Sequence, residues 1–330
     1  MKAVVFTGAG GNEVVELQER PDPAPGPGEV LVRVGLAGIN PADVLQRAGN
    51  YPPPPGVPAD IAGLEVAGTV EAAGEGAEAW KSGDRVFGLV GGGGLADRVV
   101  VDETNVTRVP DALDEREAAA VPEVFITAHD AIVTQCGLSR GETLLVHGAA
   151  GGVGSAACQI GVELGARVIA VVRSDAAAEA VASIGADPIS DEAFVDEVRE
   201  QTAGHGVDVV LELVGAPHFP GNLDVLARQG RIVVVGVGAG NQAEIPLLGL
   251  MTKRASMRGT VLRPRSVEEK AAAVEAFARD VCPGLAARRV RAIVDSVFPA
   301  GEAAAAFERL EGRGKFGKVL LDFGAAAPPA

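Results

Sequence analysis

The chain has 330 residues, which predicts roughly two domains, and its hydrophobic content of 47% is enough for large cores. The net charge of −15 argues against nucleic acids and anionic membrane surfaces as partners, because both attract basic patches. No run approaches the ~20 apolar residues of a membrane span. Residues 1–6 already read as a strand rather than a signal peptide. Cys136, Cys158 and Cys282 are widely spaced and form no disulfide or zinc pattern, so we expect a cytoplasmic protein.

Residues 1–110 are predicted to be rich in β-structure. Short apolar or alternating segments between glycine and proline turns indicate strands at Val14–Leu17, Glu29–Val34, Gly68–Ala72, Arg85–Leu89 and Ala96–Val101. The segment Pro21–Gly28 contains too many prolines for a helix or a sheet interior, so it is predicted to be a rigid connector. Many short strands of this kind favour a barrel-like β domain.

The middle of the chain alternates between strand and helix patterns. Asp114–Gln135 predicts two helices, the second starting near Val124. Val207–Val214 and Arg231–Val235 are continuous apolar runs, which are typical of parallel strands buried on both faces, and Asp191–Gln201, which precedes the first run, is predicted to be helical. This alternation predicts a doubly wound sheet.

The pattern changes again after about residue 265. The sequence there predicts helices at Val267–Asp280 and Gly301–Glu311 and a strand at Lys318–Phe323. The alanine- and proline-rich residues 325–330 are expected to be disordered.

A glycine-rich turn between a strand and a helix dominates the segment 143–172. Ala149, Gly151 and Gly154 have the spacing of a dinucleotide-binding fingerprint. Gly151 would allow the backbone to approach a pyrophosphate, and Gly154 would allow the helix to pack on the strand. The helix N-terminus then offers N–H groups and a partial positive charge to phosphates. The alternative is a tight turn that binds no ligand.

Residues 38–65 contain a second unusual segment. Tyr51 is the only tyrosine of the chain and directly precedes the proline run 52–55, so its ring would lie on a stiff loop. A phenol can stack on a flat substrate and can also donate a proton. A partly buried aromatic side chain that anchors the loop explains the composition equally well. The proline run would also suit a partner domain that binds polyproline, but it lies inside a folded domain.

These segments resemble the medium-chain dehydrogenases/reductases and, more narrowly, their zinc-independent, zeta-crystallin-like quinone oxidoreductases. The resemblance covers the whole chain and is most specific at the Asn40-Pro41-Ala42-Asp43 step, at residues 63–65 and in the glycine-rich turn. It implies an α/β fold in which a GroES-like β-rich catalytic domain accompanies a doubly wound (Rossmann) nucleotide-binding domain. The expected domains are residues 1–122, residues 123–264, and residues 265–330 as a return to the first.

Two positions depart from the zinc-dependent branch of that superfamily. Zinc alcohol dehydrogenases have Cys where this chain has Asn40 and His where it has Leu64. Neither asparagine nor leucine can replace a thiolate or an imidazole as a zinc ligand. The four histidines show no close ligand spacing, and His147, at the end of a core strand, is predicted to be structural. We therefore expect no catalytic metal.

The resemblance also implies functional residues. Asn40 would be a polar contact of the nicotinamide and the reacting carbonyl, and Tyr51 would line the substrate site. Asp43 would be structural, as a helix cap or a hydrogen-bond acceptor. The implied cofactor contacts are Thr127 at the start of the second helix, Gly151, Gly152 and Val153 at the pyrophosphate, and Gly215, Gly236, Val237 and Gly238 at the ends of later strands.

The residue after the second Rossmann strand predicts the choice of cofactor. NAD-specific domains have an Asp or Glu there, which binds the ribose 2′-hydroxyl. This chain has Arg173, whose guanidinium suits a 2′-phosphate, and Ser174, which could add a hydroxyl. Asp175 would disfavour a phosphate, but its position before an alanine-rich helix suits an N-cap. The cofactor is therefore predicted to be NADPH, although a solvated surface charge would also explain Arg173.

Without a metal, a hydride acceptor must already be electron-poor. The first hypothesis is an NADPH-dependent quinone oxidoreductase. The second is an NADPH-dependent enoyl or enone reductase, which uses the same fold and the same hydride chemistry. The third is a nucleotide-binding protein with little turnover. The expected partner is a small-molecule quinone or enone, and the resemblance suggests a homodimer formed through the edges of the Rossmann sheets.

Overall fold

The computed structural model describes residues 1–324, so the tail predicted to be disordered lies outside the described residues. The chain forms two compact units. Unit 1 comprises residues 1–126 together with the segment from residue 262 onward, and unit 2 comprises residues 127–261. The chain therefore leaves the first unit, builds the second, and returns to the first.

The described residues contain sixteen strands and eleven α-helices. The strands are β1 (Lys2–Phe6), β2 (Val15–Glu19), β3 (Glu29–Arg33), β4 (Leu36–Ile39), β5 (Glu65–Ala73), β6 (Arg85–Leu89), β7 (Arg98–Asp102), β8 (Val106–Arg108), β9 (Thr143–Val146), β10 (Arg167–Val172), β11 (Asp187–Ser190), β12 (Val207–Glu212), β13 (Leu226–Val234), β14 (Ser256–Gly259), β15 (Val294–Pro299) and β16 (Lys318–Asp322). The helices are α1 (Pro41–Arg47), α2 (Glu115–Ala119), α3 (Pro122–His129), α4 (Gly152–Leu164), α5 (Asp175–Ala182), α6 (Phe194–Gln201), α7 (Phe219–Val225), α8 (Leu247–Lys253), α9 (Val267–Asp280), α10 (Cys282–Ala286) and α11 (Ala303–Glu311).

Several predicted boundaries are wrong by a few residues, for local reasons. α3 begins at Pro122 rather than near Val124, because a proline is well suited to the first helical position. β12 ends at Glu212 rather than at residue 214, because the Glu212 carboxylate accepts hydrogen bonds from the next backbone amides and turns the chain. The helix expected from Gly301 begins at Ala303, after a 3-10 turn at Ala300–Glu302.

Unit 1 is built mainly from antiparallel sheets. A five-stranded sheet has the order β7-β3-β5-β6-β8, and β1 pairs with β2 in a separate ribbon. The third sheet has the order β15-β16-β4, in which β16 is antiparallel to β4. This last pairing joins strands from opposite ends of the chain.

The core of unit 1 also joins its two chain segments. Phe6 of β1 and Phe307 of α11 are both buried, and their rings make an edge contact with centroids 5.7 Å apart. Such a pair stabilises by about 0.5–1.5 kcal/mol beyond its area burial. Val30, Val32 and Val319 belong to the same apolar cluster, so the returning segment completes the core.

Unit 2 is a parallel sheet with the strand order β11-β10-β9-β12-β13-β14. This order is that of the doubly wound dinucleotide-binding fold, in which ligands bind outside the carboxyl ends of the strands where the order reverses. The reversal falls between β9 and β12, which flank each other in parallel register. The predicted α/β fold, with a GroES-like β-rich part and a Rossmann-like sheet, is confirmed.

No helix among residues 1–324 is both long and apolar enough to cross a membrane.

Candidate active site

The glycine-rich turn between β9 and α4 leads directly into a helix N-terminus. Gly151 is the N-cap of α4, and Gly148 has a φ of +65°, which favours glycine. A Cβ on Gly154 would lie only 2.4 Å from the Gly148 carbonyl oxygen, so only glycine allows the helix to start this close to the turn. Gly152 and Val153 are partly exposed at the helix N-terminus. Their amides are therefore available to a phosphate group.

Arg173 immediately follows β10 and is exposed. Within residues 1–324 its guanidinium has neither a hydrogen bond nor an ion pair. An exposed guanidinium with all its donors unused is well suited to bind a phosphate.

The N-cap predicted at Asp175 is wrong by one residue. Ser174 is the N-cap of α5, and its hydroxyl accepts a hydrogen bond of 3.3 Å from the backbone N–H of Ala177. Asp175 occupies the first helical position instead. The Ser174 hydroxyl still has its own proton to donate, so the cap leaves its predicted contact with a phosphate open.

Gly215 and Gly236 lie in the loops that follow β12 and β13, and these loops pack closely on each other. A Cβ on Gly215 would lie 2.4 Å from the Gly240 carbonyl oxygen, and one on Gly236 would lie 2.3 Å from that of Leu213. Both glycines are therefore needed for the contact between the loops. Val237, by contrast, has an exposed side chain, and a Cβ on Gly238 would meet nothing within 4 Å.

Thr127 lies in the sixth position of α3, so its predicted place at the start of the helix is wrong. It is buried, and α3 continues directly into a π-helical turn at Asp130–Gln135. Such turns are rare in proteins, and those that occur often lie at functional sites.

Asn40 precedes α1 in unit 1 and is held by two charged side chains. Its amide nitrogen donates to Glu65 Oε1 at 2.9 Å, and its amide oxygen accepts from the Lys318 ammonium at 2.6 Å. An asparagine amide has two N–H groups, so one remains for a ligand. These contacts fix the orientation of the amide.

Lys318 and Glu65 form a buried ion pair with an Nζ to Oε1 distance of 2.6 Å. The other Glu65 oxygen accepts from the backbone N–H of Glu123 at 2.9 Å, near the start of α3. Lys318 also donates to the carbonyl oxygen of Ile39. The pair therefore joins β5, β16, the end of β4 and the start of α3 around Asn40.

Asp43 is fully buried and accepts two backbone hydrogen bonds. One oxygen accepts from the N–H of Asn40 at 2.8 Å and the other from that of Gly63 at 2.9 Å. Burial raises the pKa of Asp43 to about 6, although both amides act against this shift. Both oxygens bind backbone groups, as the structural interpretation of Asp43 expects.

Tyr51 is half-buried, and Arg263 covers one face of its ring. The guanidinium carbon lies 4.9 Å from the ring centroid, and the same guanidinium donates to the carbonyl oxygens of Tyr51 and Gly91 and to the side chain of Gln46. Burial raises the pKa of Tyr51, with the charge of Arg263 as an opposing effect, so the phenol keeps its proton at neutral pH. The guanidinium of Arg263 therefore covers one face of a ring that stays partly exposed.

One group of His and acidic side chains in unit 2 has the composition of a metal site. His147, Glu212 and His218 bring donor atoms within 4.8 Å of one another. The two imidazole rings, however, are stacked at 4.1 Å with only 21° between their planes, so their in-plane lone pairs do not converge on one ion. The geometry is therefore that of a hydrogen-bonded network.

Sequence reasoning missed Lys318 and Arg263 as partners of the predicted site residues. Lys318 stands at the start of the predicted strand Lys318–Phe323, where three apolar residues follow it. A lysine beside a buried strand is a signal that it has a buried carboxylate partner. Nothing in the sequence around Arg263 indicates its contact with Tyr51, because 212 positions separate the two residues.

Comparisons with known proteins agree with this architecture. Residues 26–111 match the family described as "Alcohol dehydrogenase GroES-like domain", and residues 152–279 match the one described as "Zinc-binding dehydrogenase". The quinone oxidoreductase of Lama guanicoe is 32% identical over 327 residues, which cover 97% of each chain. The structure of the Pseudomonas syringae pv. Tomato DC3000 quinone oxidoreductase matches with a TM-score of 0.87 at 30% identity, over 97% of this chain and 99% of that one. A mycobacterial protein complexed with NADPH matches with a TM-score of 0.86 at 30% identity, over 98% and 100%.

The fold and these relatives define an oxidoreductase of the medium-chain dehydrogenase/reductase superfamily. Within that superfamily, the chain belongs to the quinone oxidoreductase, zeta-crystallin-like branch.

Proposed function

We propose that this protein is an NADPH-dependent quinone oxidoreductase that acts without a metal. The proposal rests on the hydrogen bonds of the Asn40 side chain. Glu65 and Lys318 fix the orientation of its amide and leave one of its two N–H groups unused. Such an amide can donate to the carbonyl oxygen of a quinone but cannot ligate zinc. The nicotinamide, when bound, would supply the hydride, and the protein supplies orientation and polarity.

Residues of unit 2 would bind the cofactor. The amides at the start of α4, from Gly151 to Val153, suit the pyrophosphate, and Arg173 with Ser174 suits a 2′-phosphate. The close-packed loops with Gly215 and Gly236, the adjoining Val237 and Gly238, and Thr127 are proposed to contact the nicotinamide half. The relative solved with NADPH supports this choice of cofactor.

Tyr51 would act on the substrate. Its ring face opposite Arg263 suits a flat quinone, and its protonated phenol can donate a proton as the quinone is reduced. Arg263 holds the loop that carries Tyr51 through its hydrogen bond to the Tyr51 carbonyl oxygen.

A substrate panel tests the reaction. The purified protein is mixed with NADPH and with 1,2-quinones, 1,4-quinones, crotonyl-CoA or free enones, and the loss of NADPH absorbance is followed. We expect turnover with quinones. Turnover with crotonyl-CoA or enones alone would identify an enoyl or enone reductase, and binding without consumption would identify a nucleotide-binding protein with little turnover.

Metal independence has a separate test. We expect dialysis against a strong chelator to leave the quinone reductase rate unchanged, because Asn40 and the buried Leu64 offer no zinc ligand. Stoichiometric zinc in the purified protein, lost together with activity, would contradict the proposal.

We also propose a cytoplasmic homodimer. β14 pairs only with β13 among the described residues, which leaves one edge of the parallel sheet open. The preceding helix α8 exposes Leu247, Leu248 and Met251. An open edge beside an apolar surface is typical of an interface between copies. Light scattering should give about twice the chain mass of 33.4 kDa, and a mass of one chain would contradict the dimer.

A further inference from the structure

A buried polar network lies at the carboxyl ends of the strands of unit 2, and neither the glycine-rich turn nor Arg173 belongs to it. Its centre is Glu212, the last residue of β12, which is completely buried. Glu212 Oε1 accepts from the backbone amides of Val214 and Gly215 at 2.7 and 2.8 Å, and Oε2 accepts from the Asn222 side chain at 2.7 Å. The carboxylate therefore fixes the first residues of the loop that follows β12.

That loop is joined to the loop after β13 by backbone hydrogen bonds. Val214 accepts from Ala239, and Ala216 donates to Gly240. The residues that follow Glu212 also pack against the glycine-rich turn. A Cβ on Gly148 would lie 3.5 Å from the side chains of Leu213 and Val214. Glu212 thus lies beneath three loops that form the dinucleotide crevice of this fold.

The hydrogen-bond pattern identifies His218 as the cation of the network. Its Nδ1 lies 3.5 Å from Glu212 Oε1 and its Nε2 lies 2.9 Å from Asp191 Oδ1. Ionised carboxylates only accept hydrogen bonds, so both contacts favour a proton on the facing ring nitrogen, and a histidine with two N–H groups is positively charged. Burial would lower the pKa of His218, but Glu212 and Asp191 outweigh it and raise the pKa.

His147, which is stacked on His218, is neutral rather than positively charged. Asn222 must turn its amide nitrogen toward Glu212, so its oxygen faces His147 Nε2 at 2.6 Å, and that nitrogen carries the proton of a neutral ring. Burial lowers the pKa of His147 to about 4, so it remains neutral at physiological pH. The remaining neighbour, Phe194, is uncharged and makes an edge contact with both rings. The groups that face His218 are therefore two carboxylates, one neutral imidazole and one apolar ring.

We propose that charged His218 is a positioning residue, which through Glu212 holds the loop after β12 in the form that binds the dinucleotide, so that nucleotide affinity falls when His218 loses its proton. The inference rests on the dinucleotide-binding role proposed above. Deprotonation leaves the buried Glu212 carboxylate without its counter-charge, and a buried charge without a partner favours local opening and entry of water. The segment that opens is the one Glu212 holds by its two amide hydrogen bonds.

The test measures NADPH binding to the full chain by calorimetry between pH 6.5 and 9.5. As the pH increases and His218 loses its proton, we expect the wild-type Kd to rise about tenfold with the pH dependence of a single titrating group. A tenfold change corresponds to ~1.4 kcal/mol of binding free energy. His218→Asn should bind about tenfold more weakly at pH 6.5 and show only the pH dependence of the ligand itself. His205→Asn is the matched control, because His205 is exposed in the same unit, and it should behave like the wild type.

Asp191→Asn provides a second variant if His218→Asn does not fold. It removes one of the two carboxylates while Glu212 remains, so the midpoint of the affinity change should move to lower pH. An unchanged midpoint, a wild-type Kd that is constant over this range, or a His218→Asn profile equal to that of the wild type would overturn the inference. Failure of the wild type to bind NADPH or NADH at any pH would instead overturn the proposed function.

Discussion

Each unit of this protein has a buried carboxylate with a cationic partner at its candidate site, but the two carboxylates have different counter-ions. Glu65 in unit 1 is paired with Lys318 at 2.6 Å, whereas Glu212 in unit 2 is paired with His218 at 3.5 Å. Histidine is the side chain whose charge ordinarily changes within the physiological pH range, and lysine is not. The first pair is thus a fixed support for Asn40, while the second can be released by loss of a proton.

Two arginines, one at the candidate site of each unit, differ in a similar way. Arg263 in unit 1 is buried, and its guanidinium donates to three groups. Arg173 in unit 2 is exposed and bonds to nothing within the described residues. A side chain that already uses its donors holds the protein together, whereas one with unused donors is free to bind a ligand.

The largest effect is expected when the fixed pair is broken. Lys318→Met leaves the Glu65 carboxylate buried without a counter-charge, which should lower the free energy of unfolding by about 3–5 kcal/mol. Denaturant unfolding measures this loss, and Lys2→Met, at an exposed lysine of β1, is the control. Adding Glu65→Gln should restore part of the stability. A single variant as stable as the control would show that the pair carries no buried charge.

The second prediction concerns how the stability of the fold changes at acid pH, where one group in each unit titrates. The folded-state pKa of His147 is about 4, and the ordinary value is about 6.5. Between pH 6.5 and pH 4 the histidine is therefore protonated in the unfolded chain but not in the folded chain. The free energy of unfolding consequently falls as the pH drops through this range. The contribution is about 3 kcal/mol. His147→Gln, which keeps an N–H near the same place, should remove this loss in denaturant unfolding at pH 7 and pH 4.5.

Asp43 in unit 1 acts in the opposite direction over nearly the same range. Its folded-state pKa is raised to about 6, so the folded chain takes up a proton before the unfolded chain does, and stability increases as the pH falls. The difference between the wild type and His147→Gln isolates the histidine, because Asp43 is present in both. Equal acid sensitivity of the two proteins would show that His147 is not the responsible group.

Tyr51→Phe separates the two roles proposed for the phenol in unit 1. If Tyr51 donates a proton, steady-state quinone reduction should become roughly 10²-fold slower in kcat, because general acids contribute about that much. The phenylalanine ring keeps the contact with Arg263, so the loop should be preserved. A nearly unchanged kcat, together with a raised KM in Tyr51→Ala, would assign Tyr51 to stacking alone. No change in either variant would make Tyr51 structural.

The smallest effect is expected at Arg173, the arginine without partners. A charge-assisted bond contributes about 1.5–3 kcal/mol, so NADPH should be preferred over NADH by roughly 10–100-fold. Arg173→Ala should remove most of this preference through the KM for NADPH and leave the NADH kinetics nearly unchanged. A wild type that uses both cofactors equally, or a variant that keeps the preference, would show that Arg173 does not bind the 2′-phosphate.

Local patterns in the sequence predicted some elements of unit 1 with their observed bounds. β6 at Arg85–Leu89 and α9 at Val267–Asp280 have the predicted bounds, because strand alternation and helical periodicity are properties of neighbouring residues. The cap of α5 was predicted at Asp175 instead of Ser174, because serine and aspartate serve equally well at that position and the sequence does not distinguish them.

The polar networks were not predicted, because their members are far apart along the chain. His147 and Asn222 are 75 positions apart, and Asn40 and Lys318 are 278 apart. Nothing near Glu212 in sequence indicates that its carboxylate holds the loop after β12. Such contacts follow from strand order, which one sequence without its structure specifies only coarsely.

The pairing of β4 with β16 has a consequence for how the protein is made. Lys318, which orients the amide of Asn40, belongs to β16, so a ribosome must add 278 further residues after Asn40 before that amide has its partner. Closing a loop of this length is entropically costly and is a late event in folding. Unit 2, whose residues are contiguous, has all its strands available much earlier. A nascent chain released before residue 318 would therefore hold the complete parallel sheet of unit 2, while the amide of Asn40 would still lack Lys318.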